Sequence, residues 1–340
     1  MKKLTFELEF ITPAFLGGAD PLKPELRPAS FVGLLRFWWR ALKSECNIEK
    51  LKEEETKIFG GNGKYASKVA IRVWGNVDLK EEPFKSFYRL DWSFDKNHRT
   101  LRGPHSGIGY LFFSTMLRDR VKGFIPAGSR FSISFVGEES YLNHYVASLW
   151  ALVFLGGVGS RSRRGGGNLT VIDHYPKDLQ ISFTPKAYFG EWLVENLKKA
   201  KELVGSSKTP CSEYSNLSNI KIVLSPKEFN TWIEALNDIG NRFMNFRVKN
   251  RKKIFETASF GIPVRHSNGQ FVEAEQDIKR RSSPIIIKLA KTTKGKYMWM
   301  VSWLSGRFLP KDVKLVFGRD KQFPNFGLVE EFFQELEKED

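Results

Sequence analysis

Between residues 156 and 167 the chain reads Gly-Gly-Val-Gly-Ser-Arg-Ser-Arg-Arg-Gly-Gly-Gly: six glycines, three arginines and no acid. These residue types suit anion binding. Glycine tolerates positive φ and lets a ligand approach the backbone closely. Successive N–H groups in such a turn form a concavity for an anion. The planar forks of Arg161, Arg163 and Arg164 match phosphate oxygens. Gly156, Gly157, Gly159, Ser160, Gly165 and Gly166 complete the candidate site. It is neither of the common nucleotide loops. The sequence holds no G-x-x-x-x-G-K-[ST] and no G-x-G-x-x-G, and here the glycines follow a helix and precede a strand, the reverse of both. Gly/Ser/Arg runs also form solvated linkers, but ordered segments on both sides and the arginine cluster argue for a site.

Other cations gather in three places. Arg36, Arg40 and Lys43 line one face of a helix, as a phosphate-contacting face or a solvated one. Arg247 to Lys253, including Lys252 and Lys253, holds five cations in seven residues, and Arg280-Arg281 precede a strand. No paired carboxylates, H-x-x-x-H, G-x-S-x-G or Cys/His nucleophile pairing stands out. Cys46 and Cys211 are far apart in sequence and in no metal spacing, so neither a zinc site nor a disulfide framework is implied. The reading has no catalytic residue, no metal and no cofactor.

At 340 residues the chain suits two domains. Nine tryptophans and 29 phenylalanines supply core material. There are 54 basic and 38 acidic residues, a net charge of +16 and a pI near 9.7. That balance favours a polyanionic partner, nucleic acid above an anionic membrane surface. Acids in the first residues argue against a signal peptide, and no apolar run is long enough to span a bilayer. A cytoplasmic protein is expected.

Several elements must position the glycine loop. Leu4, Phe6, Leu8 and Phe10 alternate with polar residues, the period of a half-buried strand, ended by Thr12-Pro13. A turn-rich loop follows at Leu16–Pro21. Ser30 is the expected N-cap of a helix whose stripe is Phe31, Leu34, Leu35, Trp38, Ala41 and Leu42; Phe37 and Trp39 fall off that stripe. Lys50 to Lys57 reads as a solvated helical segment, and Ile58 to Gly63 as a turn. Strands are predicted around Val69–Val73 and Phe131–Phe135, with residues 76–128 irregular between them. The apolar run 145–155 reads as a buried helix, and Leu169–Ile172 as a strand. The order for 1–175 is therefore β-α-β-β-α-β, the ferredoxin-like pattern of an antiparallel sheet with both helices on one face. Residues 176–340 read as a second β/α unit. It has a helical segment near 192–203, a strand at 220–224 and a capping box at Ser225-Pro226-Lys227-Glu228 opening a long helix. A hairpin at 285–289 and 297–301, a strand at 313–317 and a closing helix over 328–336 follow. The predicted class is α+β, with two tandem ferredoxin-like domains.

Certain residues carry a resemblance. They are the first strand with Thr12-Pro13; Arg27-Pro28-Ala29-Ser30-Phe31 followed by Gly33-Leu34-Leu35-Arg36-Phe37-Trp38-Trp39-Arg40-Ala41-Leu42; Ile58-Phe59-Gly60; the glycine/arginine loop; and Arg280-Arg281-Ser282-Ser283-Pro284. Together they resemble the RAMP superfamily of CRISPR–Cas proteins, and more narrowly the first-numbered subunits of type III-B (Cmr) effector complexes. The resemblance implies tandem ferredoxin-like, RRM-related domains and a place near the 3′ part of the guide RNA. Some RAMP relatives are metal-independent ribonucleases with a histidine acid/base. Among His98, His105, His144, His174 and His266, the loop residue His105 is the best match, while His144 and His174 read as structural. Backbone RAMP subunits use an Asp in the loop after the first strand for metal-dependent cleavage, a position comparable to Asp20. A histidine or an aspartate in a turn is ordinary chemistry, so the expectation is a non-catalytic subunit for antiviral defence. It would bind single-stranded guide and target RNA through Arg/Lys–phosphate contacts, which carry no sequence information, beside other subunits of the complex. Phe6, Leu8 and Phe10 lack the pattern by which RRM sheets stack bases.

Overall fold

The computed structural model describes residues 1–338 apart from 19, 21, 22, 62, 64, 116–121, 267, 268 and 277. Pro21 and Asn62, in loops predicted from the sequence, and residues 116–121 of the predicted irregular stretch lie outside the described residues. In chain order the first part comprises β1 (Lys2–Phe10), α1 (Pro28–Lys43), α2 (Ile48–Phe59), β2 (Val69–Trp74), α3 (Phe84–Phe87), β3 (Ser93–Asp95), β4 (Thr100–Arg102), α4 (Ser106–Phe112), β5 (Arg130–Gly137), α5 (Glu139–Leu155) and β6 (Leu169–Tyr175). The second comprises α6 (Phe189–Leu203), β7 (Asn216–Leu224), α7 (Trp232–Lys249), α8 (Ile254–Thr257), β8 (Val264–Arg265), β9 (Phe271–Ala274), β10 (Ile285–Lys291), β11 (Tyr297–Ser305), β12 (Leu315–Phe317), β13 (Asp320–Gln322) and α9 (Gly327–Glu337).

The first sheet has the order β2-β5-β1-β6, all pairs antiparallel. With α1 and α5 as its connections, this is the ferredoxin-like arrangement that the element order predicts. Phe6, Leu8 and Phe10 of β1 face a core shared with Phe31, Leu35 and Trp38 of α1 and with α5. The second sheet has the order β10-β11-β7. It departs from the expected four strands: the predicted strand at 313–317 is β12, which joins a separate small sheet, β13-β12-β9-β8. The second unit is thus ferredoxin-like in its β7-α7-β10-β11-α9 order, with three strands.

The two sheets share α1 and α5. Ile286, Ala290, Met298 and Met300 belong to the same core as Trp39 and Leu149, while Ile285, Ile287, Leu289 and Trp299 pack with α7 and α9. Burial on both faces explains why β10 reads as an apolar run, broken within the strand by Lys288, and does not alternate. α6 also lies on this helical layer, with Trp192 against Trp150 and Phe154 of α5.

Four local expectations are corrected. Helix α1 is entered at Pro28 with Arg27 as its cap residue, because proline's fixed φ suits the first helical position; Ser30 sits inside the first turn. The capping box lies at Thr231 and Glu234, not at Ser225–Glu228. Phe229 is held to Tyr297 by two backbone hydrogen bonds of 2.7 and 2.8 Å, so the chain remains extended there and turns helical only beyond it. Trp39, off the predicted stripe, is fully buried and donates its indole N–H to His144 Nδ1 at 3.1 Å. The stretch read as irregular is partly ordered. It carries α3, the β3–β4 hairpin and α4, and α4 docks on α7.

Candidate nucleic-acid interface

The glycine/arginine loop leaves α5 and folds against both units. Gly156 is buried under Trp38, whose indole a Cβ there would approach to 2.7 Å. Gly159 (φ +80°) and Gly167 (φ +59°) turn the chain where the backbone of Phe15 and of Val158 leaves no room for a side chain. The loop's amides serve the protein: Ser160 N–H donates to Phe15 O at 2.9 Å, Gly166 N–H to Arg161 O at 3.0 Å and Gly167 N–H to Pro13 O at 2.8 Å. Asn168 then bridges outward, donating to Gly156 O at 3.2 Å and accepting from Leu289 N–H of β10 at 2.8 Å.

The three arginines have different fates. Arg163 lies over the Phe37 ring, 5.2 Å from its centroid, and donates to Ser283 O at 2.5 Å. Arg164 donates to Ile285 O at 3.2 Å and Phe260 O at 3.1 Å and stacks at 4.9 Å on Phe243. Both hold the two units together through backbone carbonyls. Burial, then Arg281, lowers Arg163 to about 10. Burial, then Arg161 and Arg247, lowers Arg164 to about 9. Arg161 stands in the left-handed region (φ 64°) and its Nε is buried without a hydrogen-bond partner.

Arg161 and Arg164 open into a cleft of about 500 Å³. Its walls are the β3–β4 hairpin and α4 on one side, and α7, Phe260 and Arg265 on the other. Among the described residues, five arginines line it (Arg99, Arg161, Arg164, Arg247 and Arg265) and no acid does. Arg247 is fixed by donation to Thr257 O at 2.6 Å and by the Phe260 ring at 4.9 Å. Phe94 and Phe113 line the cleft and are 57% and 50% exposed; Tyr110 stands edge-on to Phe243. Like charges gathered in one cleft are an arrangement that an anion relieves, and exposed aromatics beside them give bases a stacking surface.

The other predicted cations do not converge on this cleft. Arg36 and Arg40 both reach Glu55 Oε1 at 2.6 Å, and Lys43 reaches Glu54 at 2.6 Å. Helix α2, read from sequence as solvated, thus supplies the acids that neutralise the cationic face of α1, and α1 meets the glycine loop through Phe37 and Trp38. Lys253 pairs with Glu331 at 3.2 Å and Lys252 is exposed. Arg281 donates to Ser215 Oγ and to Arg307 O, each at 3.2 Å, while Arg280 is exposed. His105 accepts a hydrogen bond from Asp91 N–H at Nδ1, 3.0 Å, and sits at the start of α4. Asp20 is exposed, and no group of three His, Cys, Asp or Glu suited to a metal occurs among the described residues. Sequence reasoning missed Phe94, Arg99, Tyr110, Phe113 and Arg265. The interleaved aromatics and cations of residues 92–113 were the available signal.

Residues 7–170 match the RAMP superfamily, and the fold agrees with that class. Among curated proteins, the CRISPR system Cmr subunit Cmr1-2 of Pyrococcus furiosus is 36% identical over 186 residues, 50% of this chain and 96% of the relative. Subunit Cmr1-1 of the same organism is 28% identical over 323 residues, 90% of this chain and 88% of the relative. The crystal structure of Cmr1 from Pyrococcus furiosus in its apo form matches with a TM-score of 0.68 at 25% identity, covering 98% of this chain and 97% of that one. A chain in the cryo-EM structure of the type III-B Cmr-beta complex bound to cognate target RNA shares the fold, with a TM-score of 0.57 at 14% identity and 99% coverage of both. The chain belongs to the RAMP superfamily and, within it, to the Cmr1 family of type III-B CRISPR systems. No helix among the described residues is long and apolar enough to cross a membrane.

Proposed function

We propose that the chain is a non-catalytic, cytoplasmic, RNA-binding subunit of a type III-B effector complex, holding guide and target RNA near the 3′ end of the guide beside neighbouring subunits. The observation that carries this reading is the convergence of Arg161, Arg164, Arg247 and Arg265 on one cleft flanked by exposed Phe94 and Phe113. In this reading Arg161, Arg247 and Arg265 contact phosphates, and the phenylalanines stack bases without selecting sequence, as a carrier of many guides requires. Arg163 and Arg164 act by holding the cleft's walls in place.

The test is a gel shift with single-stranded RNA over a salt series. Log affinity should fall against log salt with a slope of roughly −0.7 per phosphate contacted. Replacing Arg161 and Arg265 together by Ala should weaken binding and make the slope shallower by about one contact for each arginine that touches phosphate. The RNA should remain intact with or without Mg²⁺. Cleavage that disappears in Asp20→Ala or His105→Ala would overturn the non-catalytic reading, and a flat salt dependence would leave a bridge between protein subunits.

A further inference from the structure

Cys46 and Cys211 are the only cysteines in the sequence, and neither lines the cleft. Cys46 lies in the connection from α1 to α2, Cys211 in the one from α6 to β7. The fold laces these connections together. Ser206 Oγ donates to Leu42 O at 2.7 Å and Ser207 N–H to Lys43 O at 2.8 Å. Tyr214 Oη donates to Glu45 O at 3.1 Å and Lys43 Nζ to Val204 O at 3.3 Å. Within this lacing Cys46 Sγ lies 3.8 Å from the carbonyl of Pro210, the residue before Cys211, which brings the two thiols near each other. Cys46 is exposed and Cys211 buried.

We propose that Cys46 and Cys211 are a modification site: a pair that closes into a reversible intramolecular disulfide when a peroxide reaches Cys46. The chemistry follows from exposure, because the thiolate is the attacking species and must meet the oxidant. Cys46 sulfur attacks one peroxide oxygen, the O–O bond breaks, and Cys46 becomes a sulfenic acid while the departing hydroxide takes up a proton as water. Cys211 sulfur then displaces the sulfenic hydroxyl, which leaves as a second water with the Cys211 proton. Two thiols are oxidised and one hydrogen peroxide is reduced to two waters. Burial, then the neighbouring Cys46, raises the Cys211 thiol to about 11, and the exposed Cys46 is the thiol that meets the oxidant first. The bond would close a loop that includes β2, β5 and β6 of the first sheet, the glycine loop and α6, and would fasten the entry to β7 onto the end of α1. A cross-link over a loop of this length restricts the unfolded chain strongly.

The experiment treats the full folded chain with hydrogen peroxide, quenches, and reads thiol content, intact mass and linked peptides. The expected result is loss of both thiols, a mass lower by two hydrogens, a peptide pair joined through Cys46 and Cys211, and reversal by dithiothreitol. Tm should rise by about 5 °C on closure. In Cys211→Ser, Cys46 should gain oxygen and give no link; in Cys46→Ser, the buried Cys211 should stay reduced. If the parent protein gains oxygen at Cys46 while Cys211 remains free, or links only between molecules or after denaturation, the proposal fails.

Discussion

The guanidinium of Arg164 donates to the carbonyl of Ile285 at 3.2 Å, joining the glycine loop after α5 to the first residue of β10 in the other sheet. The main chain repeats the link, since Ile287 N–H donates to Arg163 O at 3.2 Å. A loop whose composition suggests a phosphate-binding site is therefore in large part a buried seam; Arg161 and Arg164 both line the cleft, and Arg161 Nε is buried without a hydrogen-bond partner.

Arg164→Ala should consequently act on stability first. It strands the Ile285 and Phe260 carbonyls and leaves a void beside Phe243, at a cost of about 2–4 kcal/mol. Urea unfolding should show a lower midpoint with an unchanged slope. A variant as stable as the parent that binds RNA weakly would put Arg164 among the phosphate contacts.

Phe94→Ala and Phe113→Ala should do the opposite. Both rings are half or more exposed, so Tm should hardly move, while each base that loses its stacking platform should cost RNA affinity about 1–3 kcal/mol. The loss should be similar for guides of different sequence. Titration of several unrelated oligonucleotides checks this.

The inserted hairpin depends on one close approach. A Cβ at Gly240 of α7 would come within 2.5 Å of the Gly107 backbone of α4, and Asn237 Oδ1 accepts the Gly107 N–H at 3.0 Å. Gly240→Val should push α4 off α7, destabilise the fold by about 1–3 kcal/mol, and open the cleft. RNA binding should weaken even though no cation is removed. Melting curves and gel shifts on the same preparation measure both effects.

Lys288 supplies a pH dependence. Its side chain is buried on the face of β10 turned toward α1 and α5, with Nζ lacking a hydrogen-bond partner, and burial lowers it to about 7. The unfolded chain keeps that proton up to a pH of about 10.4. Between these values the unfolded state binds more protons, so stability rises with pH across the window, and the whole penalty applies below its lower edge. Lys288→Met removes the titration. Relative to the parent it should gain roughly 3–5 kcal/mol at low pH, an advantage that fades as pH climbs toward 10. Parallel pH profiles for parent and variant would refute the assignment.

Strand alternation in β1, the stripes of α1 and α7, and the β-α-β-β-α-β order were legible in the sequence, because each depends on residues a few positions apart on one element. The strong positive charge and the glycine loop's place between helix and strand were legible for the same reason. The fate of each cation was not. Arg36 and Arg40 line one face of their helix as the spacing says, yet Glu55 of a different helix neutralises them. Arg163 and Arg164 sit beside Arg161 in sequence, yet the carbonyls of Ser283, Ile285 and Phe260 capture them, and no such carbonyl partner holds Arg161 Nε. The cysteines, distant along the chain, come near each other because two connections pack together. Periodicity reports which way a side chain points from its own backbone; what stands opposite it is set by contacts between distant segments, and those contacts separate a binding arginine from a structural one.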